Sequence, residues 1–472
     1  MTQAAPITAF RSPPGPRAWP VLGHLLGVRA AGDFLSYLDP QWRAHGDVFR
    51  FQVLGRNAVV LAHPEAMKQV LSTRRDRYTK GSVYDGVRRV MGDGVLTLES
   101  DGWKRRRAIL QPTFHRQSLA KLAVIMVESG ARFFDELTLR AAKGSIAVDA
   151  HREMVKLTLA VVIDALFGRG LATASDVSYE ALGAALELMG EEANGIPVPS
   201  WLPTPHNRKF QRTMRELDGV VYGLIAAARK RGTVDGSPKG SVDGADDGTL
   251  LSMLLSATDE ETGQPLSDRA IRDEVFTLFV AGHETTALTM TWLFVMLDGR
   301  PEILARMQEE VRGVLGGREP GFDDVPKFPY VRQVIDEILR LRPPAPLVPR
   351  NVMQDDEIGG YRVKAGEMAF LLFWATHRHP DYWTRPEAFD PDRFSAEQSK
   401  GRHSWSYVPF SGGPRTCIGN MFALVESTLL LAQLLSRFDL DIQSCADVRP
   451  VAVATLRPSK AVGVVLRPRA RA

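Results

Sequence analysis

One ten-residue segment has the composition of a ligand-presenting loop: residues 410–419 read FSGGPRTCIG. Two glycines and a proline predict a tight, irregular loop that presents Cys417 just before a helix. The amides and dipole of a helix N-terminus favour a thiolate, the form of cysteine that binds metals. Gly419 would let a flat, bulky group approach the backbone, Phe410 could cover the sulfur, and Arg415 could reach an anion. A single cysteine is, however, more often a buried hydrophobic residue than a ligand.

A second segment, AGHETT at residues 281–286, falls midway along a long apolar stretch. A glycine inside a helix costs about 1 kcal/mol relative to alanine, so Gly282 predicts the close approach of another group. Threonine hydroxyls can return to helix carbonyls and distort the ladder, and Glu284 is costly in an apolar helix unless it is paired or functional. Two interpretations stay open: a packing glycine with a buried salt bridge, or a groove for dioxygen and protons.

The elements that must position these segments are mostly helical. Residues 268–299 predict a long buried helix with Ser267 or Asp268 as its N-cap. A β-hairpin is predicted over 47–63, and short strands over 347–373. Residues 1–20 predict an irregular lead-in and residues 232–248 a mobile loop. Further helices are predicted at 118–141, 208–230, 301–316, 329–341 and about 418–437.

The bulk composition narrows the class of protein. The chain has 472 residues, of which 44% are hydrophobic and 24% charged, with a net charge of +4. That balance is typical of a globular protein and argues against a dedicated nucleic-acid binder. Two cysteines favour a reducing cytoplasm over a secreted disulfide scaffold. The longest apolar runs near the N-terminus predict neither a membrane span nor a secretory signal.

The two chemical segments resemble the motifs of the cytochrome P450 family. The cysteine loop matches every fixed position of that family's FxxGxRxCxG loop, and AGHETT resembles its [AG]GxETT helix. Glu337 and Arg340 resemble its ExxR pair, and residues 391–394 (PDRF) resemble its PERF-type segment, with Asp392 in place of the usual Glu. The resemblance implies a mainly α fold with a small β portion, formed as one P450-like domain over residues 1–472.

The resemblance also implies roles for individual residues. Cys417 would be the axial ligand of haem b. Thr285 would hydrogen-bond dioxygen or its water, and Glu284 would relay protons. Glu337, Arg340 and Arg393 would form a buried structural network. The donors to the haem propionates would be Trp103, Arg107, Arg350 and Arg415. The substrate pocket would include Phe279, Ala281, Leu347, Val348 and Leu456.

These assignments predict a haem-thiolate monooxygenase that inserts one atom of O2 into an apolar substrate, such as a fatty-acid-like or terpenoid molecule. The chain ends 55 residues after Cys417, so the electrons are expected from a separate ferredoxin or flavodoxin with its reductase. That partner is expected to dock near Lys104–Arg106 and Arg402. Alternatives are a peroxide-driven or isomerase/dehydratase haem-thiolate enzyme, which Glu284 and Thr285 count against, and a non-catalytic haem sensor.

Overall fold

The computed structural model describes residues 11–53, 55–81, 83–168, 202–234, 237–238, 249–259 and 262–469. It is mainly helical with a small sheet portion, which confirms the predicted fold class. The α-helices, numbered in chain order, are α1 Leu25–Ala31, α2 Phe34–His45, α3 Pro64–Lys68, α4 Val83–Met91, α5 Ser100–Leu110, α6 Arg116–Arg140, α7 Ala150–Phe167, α8 Pro205–Gly232, α9 Leu250–Ser256, α10 Asp268–Leu297, α11 Pro301–Leu315, α12 Pro329–Leu341, α13 Phe373–Thr376 and α14 Asn420–Arg437.

The strands are short. They are β1 Val48–Val53, β2 Arg56–Leu61, β3 Tyr78–Thr79, β4 Ile146–Asp149, β5 Thr233–Val234, β6 Ser237–Pro238, β7 Val348–Val352, β8 Asp356–Ile358, β9 Tyr361–Val363, β10 Met368–Leu371, β11 Phe438–Ile442, β12 Pro450–Ala452, β13 Leu456–Pro458 and β14 Gly463–Pro468. Backbone contacts group the chain into two compact units. The first comprises Met1–Val83, Asp336–Cys417 and Pro450–Ser459, and the second comprises Tyr84–Ile335, Ile418–Arg449 and Lys460–Ala472. A single domain over residues 1–472 stays a prediction.

The first unit is built on a five-stranded sheet in the order β1-β2-β10-β7-β3. The pair β2/β10 is parallel, and the other neighbours are antiparallel. Buried side chains of β2 and β10 form one core cluster with α3 and the helical turn that follows it. The core of this unit includes Val59, Leu61, Met67, Leu71 and Phe373, all of which are buried.

The second unit packs helices around α10. This helix begins at the N-cap Ser267, whose hydroxyl accepts a hydrogen bond from the amide of Ala270, as the sequence predicts. Its close neighbour is α7, and a Cβ on Gly282 would lie 3.0 Å from a methyl carbon of Val162 on α7. The group that approaches this glycine is therefore the side chain of a neighbouring helix. A three-stranded antiparallel sheet, β11-β14-β4, completes the unit.

Most predicted elements are confirmed within a few residues. The hairpin over 47–63 forms as β1 and β2, and the long helix over 268–299 forms as α10. The last long helix begins at Asn420 instead of residue 418. The predicted mobile loop at 232–248 lies largely outside the described residues, apart from the minimal pair β5/β6. Within the described ranges, no helix is both long and apolar enough to cross a membrane.

Candidate active site

The cysteine loop, which ends the segment Asp336–Cys417 of the first unit, is held in shape by its own backbone. Ser411 and Gly413 have left-handed φ angles of 62° and 66°. A Cβ at Gly413 would collide with the carbonyl oxygen of Leu71, so glycine is required there. The Cys417 amide donates a hydrogen bond to the Phe410 carbonyl at 2.9 Å. The loop therefore fixes the backbone from which the cysteine side chain projects.

The two cysteines have opposite environments. Cys417 is exposed, whereas Cys445 is buried, and neither forms a disulfide bond within the described residues. Burial, helped by the nearby Asp298 carboxylate, raises the pKa of the Cys445 thiol, and this thiol donates to the Gln443 carbonyl at 3.2 Å. Because a ligand must be accessible and readily deprotonated, Cys417 is the cysteine suited to bind a metal.

The start of α14 leaves space beside its backbone. Gly419 is the N-cap of this helix. A Cβ built on Gly419 would meet, among the described residues, a Phe114 ring carbon at 4.0 Å and nothing nearer. The clearance predicted for a flat group is present on this side of the glycine.

Glu337, Arg340 and Arg393 meet in the interior of the first unit. Arg340 donates from Nε and Nη2 to the two carboxylate oxygens of Glu337, both at 2.7 Å, and neither side chain has exposed surface. Arg393 Nε lies 3.5 Å from Glu337 Oε1. The remaining Arg340 N–H groups donate to backbone carbonyls of His377, Pro386 and Ala388. All five donors of this guanidinium are therefore satisfied, so the network joins α12 to the long segment that follows α13.

The middle of α10 is accessible although the helix is buried on either side. Residues 271–277 and 286–294 are all buried, whereas Leu278, Ala281, Gly282 and Thr285 have accessible surface. Their spacing places these four residues on one face of the helix. This accessible face could receive a ligand, and it contains Ala281, Gly282 and Thr285 of the AGHETT motif.

Hydroxyl groups bond to three successive carbonyls in this part of α10. Thr285 Oγ1 donates to Ala281 O at 2.9 Å, and Thr286 Oγ1 donates to Gly282 O at 3.2 Å. Thr158, on α7, donates to His283 O at 2.9 Å. Such bonds compete with the helical ladder, so the predicted return of threonine hydroxyls to the helix backbone is confirmed.

His283 faces the interior. It is 1% exposed, and its Nδ1 donates to the Phe279 carbonyl at 2.8 Å. The two rings lie 5.1 Å apart between centroids. This imidazole therefore packs within the helix core, next to the buried Phe279 ring. Glu284 is half-buried on the same turn.

Sequence reasoning missed a buried acid behind this helix. Glu426 on α14 has no exposed surface, and neither carboxylate oxygen has a hydrogen-bond partner among the described residues. Burial raises the pKa of Glu426 to about 8, against a lowering by the Thr286 hydroxyl. A signal was present, because Glu426 is the one charged residue in residues 420–436. The argument applied to Glu284 holds equally for Glu426.

A second missed pair removes a residue from the expected docking surface. Arg106 Nη1 donates to Glu274 Oε1 at 2.8 Å, and the arginine side chain is 14% exposed. Burial raises the pKa of Glu274 to about 7 although the Arg106 charge opposes this. Arg106 therefore contributes to the interior of the second unit. In the first unit, Arg402 stacks on Trp383 with 4.6 Å between its guanidinium carbon and the ring centroid.

The four predicted propionate donors lie on three elements. Trp103 and Arg107 lie one turn apart on α5, where Arg107 Nε donates to Gln111 Oε1 at 3.0 Å. Arg415 ends the 3-10 turn Gly413–Arg415. Arg350 on β7 is 6% exposed and donates to the Pro349 carbonyl at 2.8 Å, and no carboxylate of the described residues pairs with it. A buried guanidinium in such surroundings calls for an anion from outside the chain.

The predicted pocket residues differ in accessibility. Ala281 is exposed, and Leu347 and Val348 are half-buried at the start of β7. Leu456 is fully buried, and its amide donates to Pro344 O at 2.9 Å. Phe279 is 4% exposed. Three of the five therefore have accessible surface, whereas Phe279 and Leu456 are buried.

The residues present fit a haem. The first unit offers an exposed cysteine in a fixed loop and a buried arginine that pairs with no carboxylate of the described residues. The second unit offers an accessible face on α10 and open space beside Gly419. A soft thiolate ligand together with guanidinium donors matches the iron and the propionates of that cofactor.

Comparison with known proteins agrees with this chemistry. The family model described as Cytochrome P450 matches residues 13–464. Cyclooctatin synthase of Streptomyces melanosporofaciens is 33% identical over 462 residues, which cover 97% of this chain and 95% of that protein. Pentalenene oxygenase of Streptomyces avermitilis is 32% identical over 449 residues, covering 93% and 94%. The crystal structure of the cytochrome P450DA heme domain matches with a TM-score of 0.86 and 26% identity over 98% of this chain and 99% of that chain.

The family match extends over nearly the whole chain, and the relatives are similar over almost their full lengths. Family membership makes haem b, held by a cysteine thiolate, the cofactor. It also implies O2 as the oxidant and a redox partner as the source of electrons. The chain belongs to the cytochrome P450 family and is a monooxygenase of that family.

Proposed function

We propose that Cys417 ligates the haem iron and that the enzyme inserts one oxygen atom into a lipophilic molecule of the terpenoid class. The observation that carries this assignment is the accessible sulfur of Cys417 on a loop whose backbone is fixed at Ser411 and Gly413. Cys445 is buried and its thiol pKa is raised, so it does not compete for the metal.

Arginines and aromatic rings hold the cofactor. The strongest support for this role comes from Arg350, because its buried guanidinium pairs with no carboxylate of the described residues. Arg415 and Arg107 supply further charge for the propionates, and Trp103 supplies an indole N–H donor. Phe410 covers the sulfur, and Gly419 leaves clearance beside the backbone.

Thr285 and Glu284 manage protons on α10. A haem bound here would supply dioxygen activation, with the Cys417 thiolate as its electron-rich ligand. The Thr285 hydroxyl lies on the accessible face and holds its proton toward Ala281 O at 2.9 Å. Glu284 is the neighbouring carboxyl group that restores the proton which Thr285 gives up. This hydroxyl–carboxyl pair favours reductant-driven oxygenation over rearrangement chemistry.

The substrate class is supported by the accessible apolar residues and by the relatives. Ala281, Leu347 and Val348 present apolar surface, so they suit a hydrocarbon skeleton. One relative is named pentalenene oxygenase and another cyclooctat-9-en-7-ol 5-monooxygenase. Both names specify oxidation of a terpenoid, which favours this class over a fatty-acid-like substrate.

Electrons come from a separate ferredoxin or flavodoxin served by its own reductase. Arg106 and Arg402 are engaged in internal contacts, which leaves Arg105 and Lys104 exposed on α5. Lys104 pairs with the exposed Asp101 at 2.9 Å, a contact that is readily exchanged in water. Arg105 is therefore the residue of this group most available to an acidic partner.

The ligand assignment is tested by the absorption spectrum of the reduced, carbon monoxide-bound protein. We expect a strongly red-shifted Soret band that disappears in Cys417→Ala. Cys445→Ala is the matched control and should keep the band, since its thiol is buried away from any ligand. Loss of the band in Cys445→Ala but not in Cys417→Ala would contradict the assignment.

The proton assignment is tested by the ratio of product formed to NAD(P)H consumed. Thr285→Ala removes the accessible hydroxyl, so this ratio should fall by about tenfold or more while consumption of NAD(P)H continues. Thr285→Ser restores the hydroxyl and should recover most of the product. An unchanged ratio in Thr285→Ala would show that Thr285 does not hold the proton.

A further inference from the structure

An exposed apolar loop lies near the N-terminus of the first unit. Five apolar side chains within residues 19–26 are turned outward. Their exposed fractions are 64% for Trp19, 83% for Val21, 37% for Leu22, 36% for Leu25 and 47% for Leu26. A single exposed leucine is ordinary, but a continuous apolar patch on a folded surface usually marks an interaction site. We call residues 19–26 the apolar tip.

The tip is strained at its end. The amide of Leu22 donates to the Pro20 carbonyl at 2.7 Å, which closes a γ-turn around Val21. Val21 has a φ of 64°, a conformation that β-branched residues rarely adopt. The chain therefore keeps a large apolar side chain at the most exposed point, where glycine or asparagine would relieve the strain.

The base of the tip is rigid. Trp19 and Gly23 exchange backbone hydrogen bonds of 3.0 and 2.9 Å. His24 is 5% exposed; its Nδ1 accepts from the Gln52 amide at 2.9 Å, and its Nε2 donates to Pro16 O at 3.2 Å. These bonds tie the loop to β1. The tip is thus a preformed projection and loses little conformational entropy on binding.

Its charge selects the partner. Residues 1–32 contain no Asp or Glu, and their charged side chains are Arg11, Arg17 and Arg29. Arg17 and Arg29 are exposed on either side of the apolar tip. Tryptophan and leucine flanked by arginine suit the boundary between acyl chains and anionic headgroups.

We propose that the apolar tip inserts into the surface of an anionic lipid bilayer and holds the enzyme there without spanning it. The proposal deepens the proposed function, because a lipophilic substrate dissolves in the same bilayer. The binding itself needs only the tip and its arginines, so it can be tested apart from catalysis.

The test is sedimentation of the haem-loaded protein with vesicles of equimolar phosphatidylglycerol and phosphatidylcholine. We expect the wild type to sediment with these vesicles, and Val21→Asp to reduce its partition coefficient by tenfold or more. Asp tolerates the left-handed conformation better than Val, so this variant should fold. Leu139→Asp is the matched control, since Leu139 is 77% exposed on α6 and lies outside the tip.

The arginines are tested separately. Arg17→Gln with Arg29→Gln should lower binding to the mixed vesicles by about fivefold for each charge removed, and should leave the weaker binding to pure phosphatidylcholine unchanged. The proposal is overturned if the wild type ignores the mixed vesicles, or if Val21→Asp and Leu139→Asp bind alike. A concentration-dependent dimer that Val21→Asp abolishes would also overturn it, because a second copy would then cover the tip. A normal carbon monoxide spectrum in each variant separates these outcomes from failure of the proposed function.

Discussion

Two buried carboxylates, one in each compact unit, show how differently a protein interior can accommodate an acid. Glu337 and Glu426 both have no exposed surface. Glu337 accepts two bonds of 2.7 Å from Arg340, a third of 2.9 Å from the Asp390 amide, and has the Arg393 guanidinium at 3.5 Å. Neither carboxylate oxygen of Glu426 has a hydrogen-bond partner among the described residues.

The difference lies in what compensates for lost hydration. An ionised carboxylate can be buried when guanidinium groups and amides replace its water, as they do around Glu337. No cation of the described residues lies beside Glu426, so burial raises its pKa to about 8 and it carries a proton at neutral pH. Burial alone therefore does not fix a residue's role: Glu337 joins two arginines and a backbone amide, whereas Glu426 is an acid whose pKa is raised.

The largest expected effect comes from removing one charge from the network of Glu337, Arg340 and Arg393. Glu337→Gln leaves the Arg340 guanidinium buried beside a neutral amide, so we expect the free energy of unfolding to fall by about 3–5 kcal/mol. Arg340→Lys should be nearly as damaging, since an ammonium group has three donors where Arg340 uses five. Unfolding in urea at neutral pH measures both.

Glu302→Gln is the control for this comparison, because Glu302 is exposed in the first turn of α11. Its effect should stay within about 0.5 kcal/mol. If Glu337→Gln were as mild as this surface substitution, the network would contribute nothing that a neutral hydrogen bond could not supply.

The network around Glu337 could be predicted from the sequence, whereas the buried Glu426 could not. Glu337, Arg340 and Arg393 were named because they stand in motifs with a recognisable spacing. Glu426 stands in no such motif, although it is a lone acid in an apolar helix, the same feature that predicts a function for Glu284. A local sequence pattern identifies the type of residue, whereas the neighbours that compensate for a buried charge come together only when the chain folds.

The same limit applies to the basic residues and to Gly282. Arg106 looked like part of a solvated cationic run, but its partner Glu274 is 168 positions further along the chain. The approach predicted at Gly282 was correct, yet sequence could not say that Val162 makes it. Helix and strand positions, by contrast, follow from periodicity and caps, which are local, and were predicted within a few residues.

The next largest expected effect is on how the free energy of unfolding depends on pH when Glu426 is replaced. Above the ordinary glutamate pKa of 4.5, the unfolded chain releases the Glu426 proton while the folded protein retains it up to about pH 8. The folded state binds more protons in this window, so stability falls as pH rises. Glu426→Gln removes this slope, and by pH 8 the variant should have gained a few kcal/mol relative to the wild type.

Urea unfolding at pH 5 and pH 8 measures that change. Glu274, whose pKa is raised to about 7, contributes a slope of the same sign in both proteins and cancels from the difference. Glu302→Gln should follow the wild type at both pH values. Parallel curves for Glu426→Gln and the wild type would mean that Glu426 is ionised in the folded protein.

The smallest effect comes from the hydroxyl beside Glu426. The Thr286 hydroxyl lowers the pKa of that acid and donates to Gly282 O at 3.2 Å. Thr286→Val keeps the shape, so below pH 5 it should cost about 1 kcal/mol for the lost hydrogen bond. At pH 9 we expect a further loss of up to about 1 kcal/mol, because the Glu426 carboxylate then forms without a hydroxyl that could turn from Gly282 O and donate to it. Thr428→Val, which removes a buried hydroxyl bonded to Leu424 O at 2.7 Å on α14, should show no such pH dependence. In the double variant with Glu426→Gln the additional loss should vanish, because no group remains for the hydroxyl to stabilise. If the additional loss persisted, Thr286 would act on another titrating group, and the contrast between Glu337 and Glu426 would rest on burial alone.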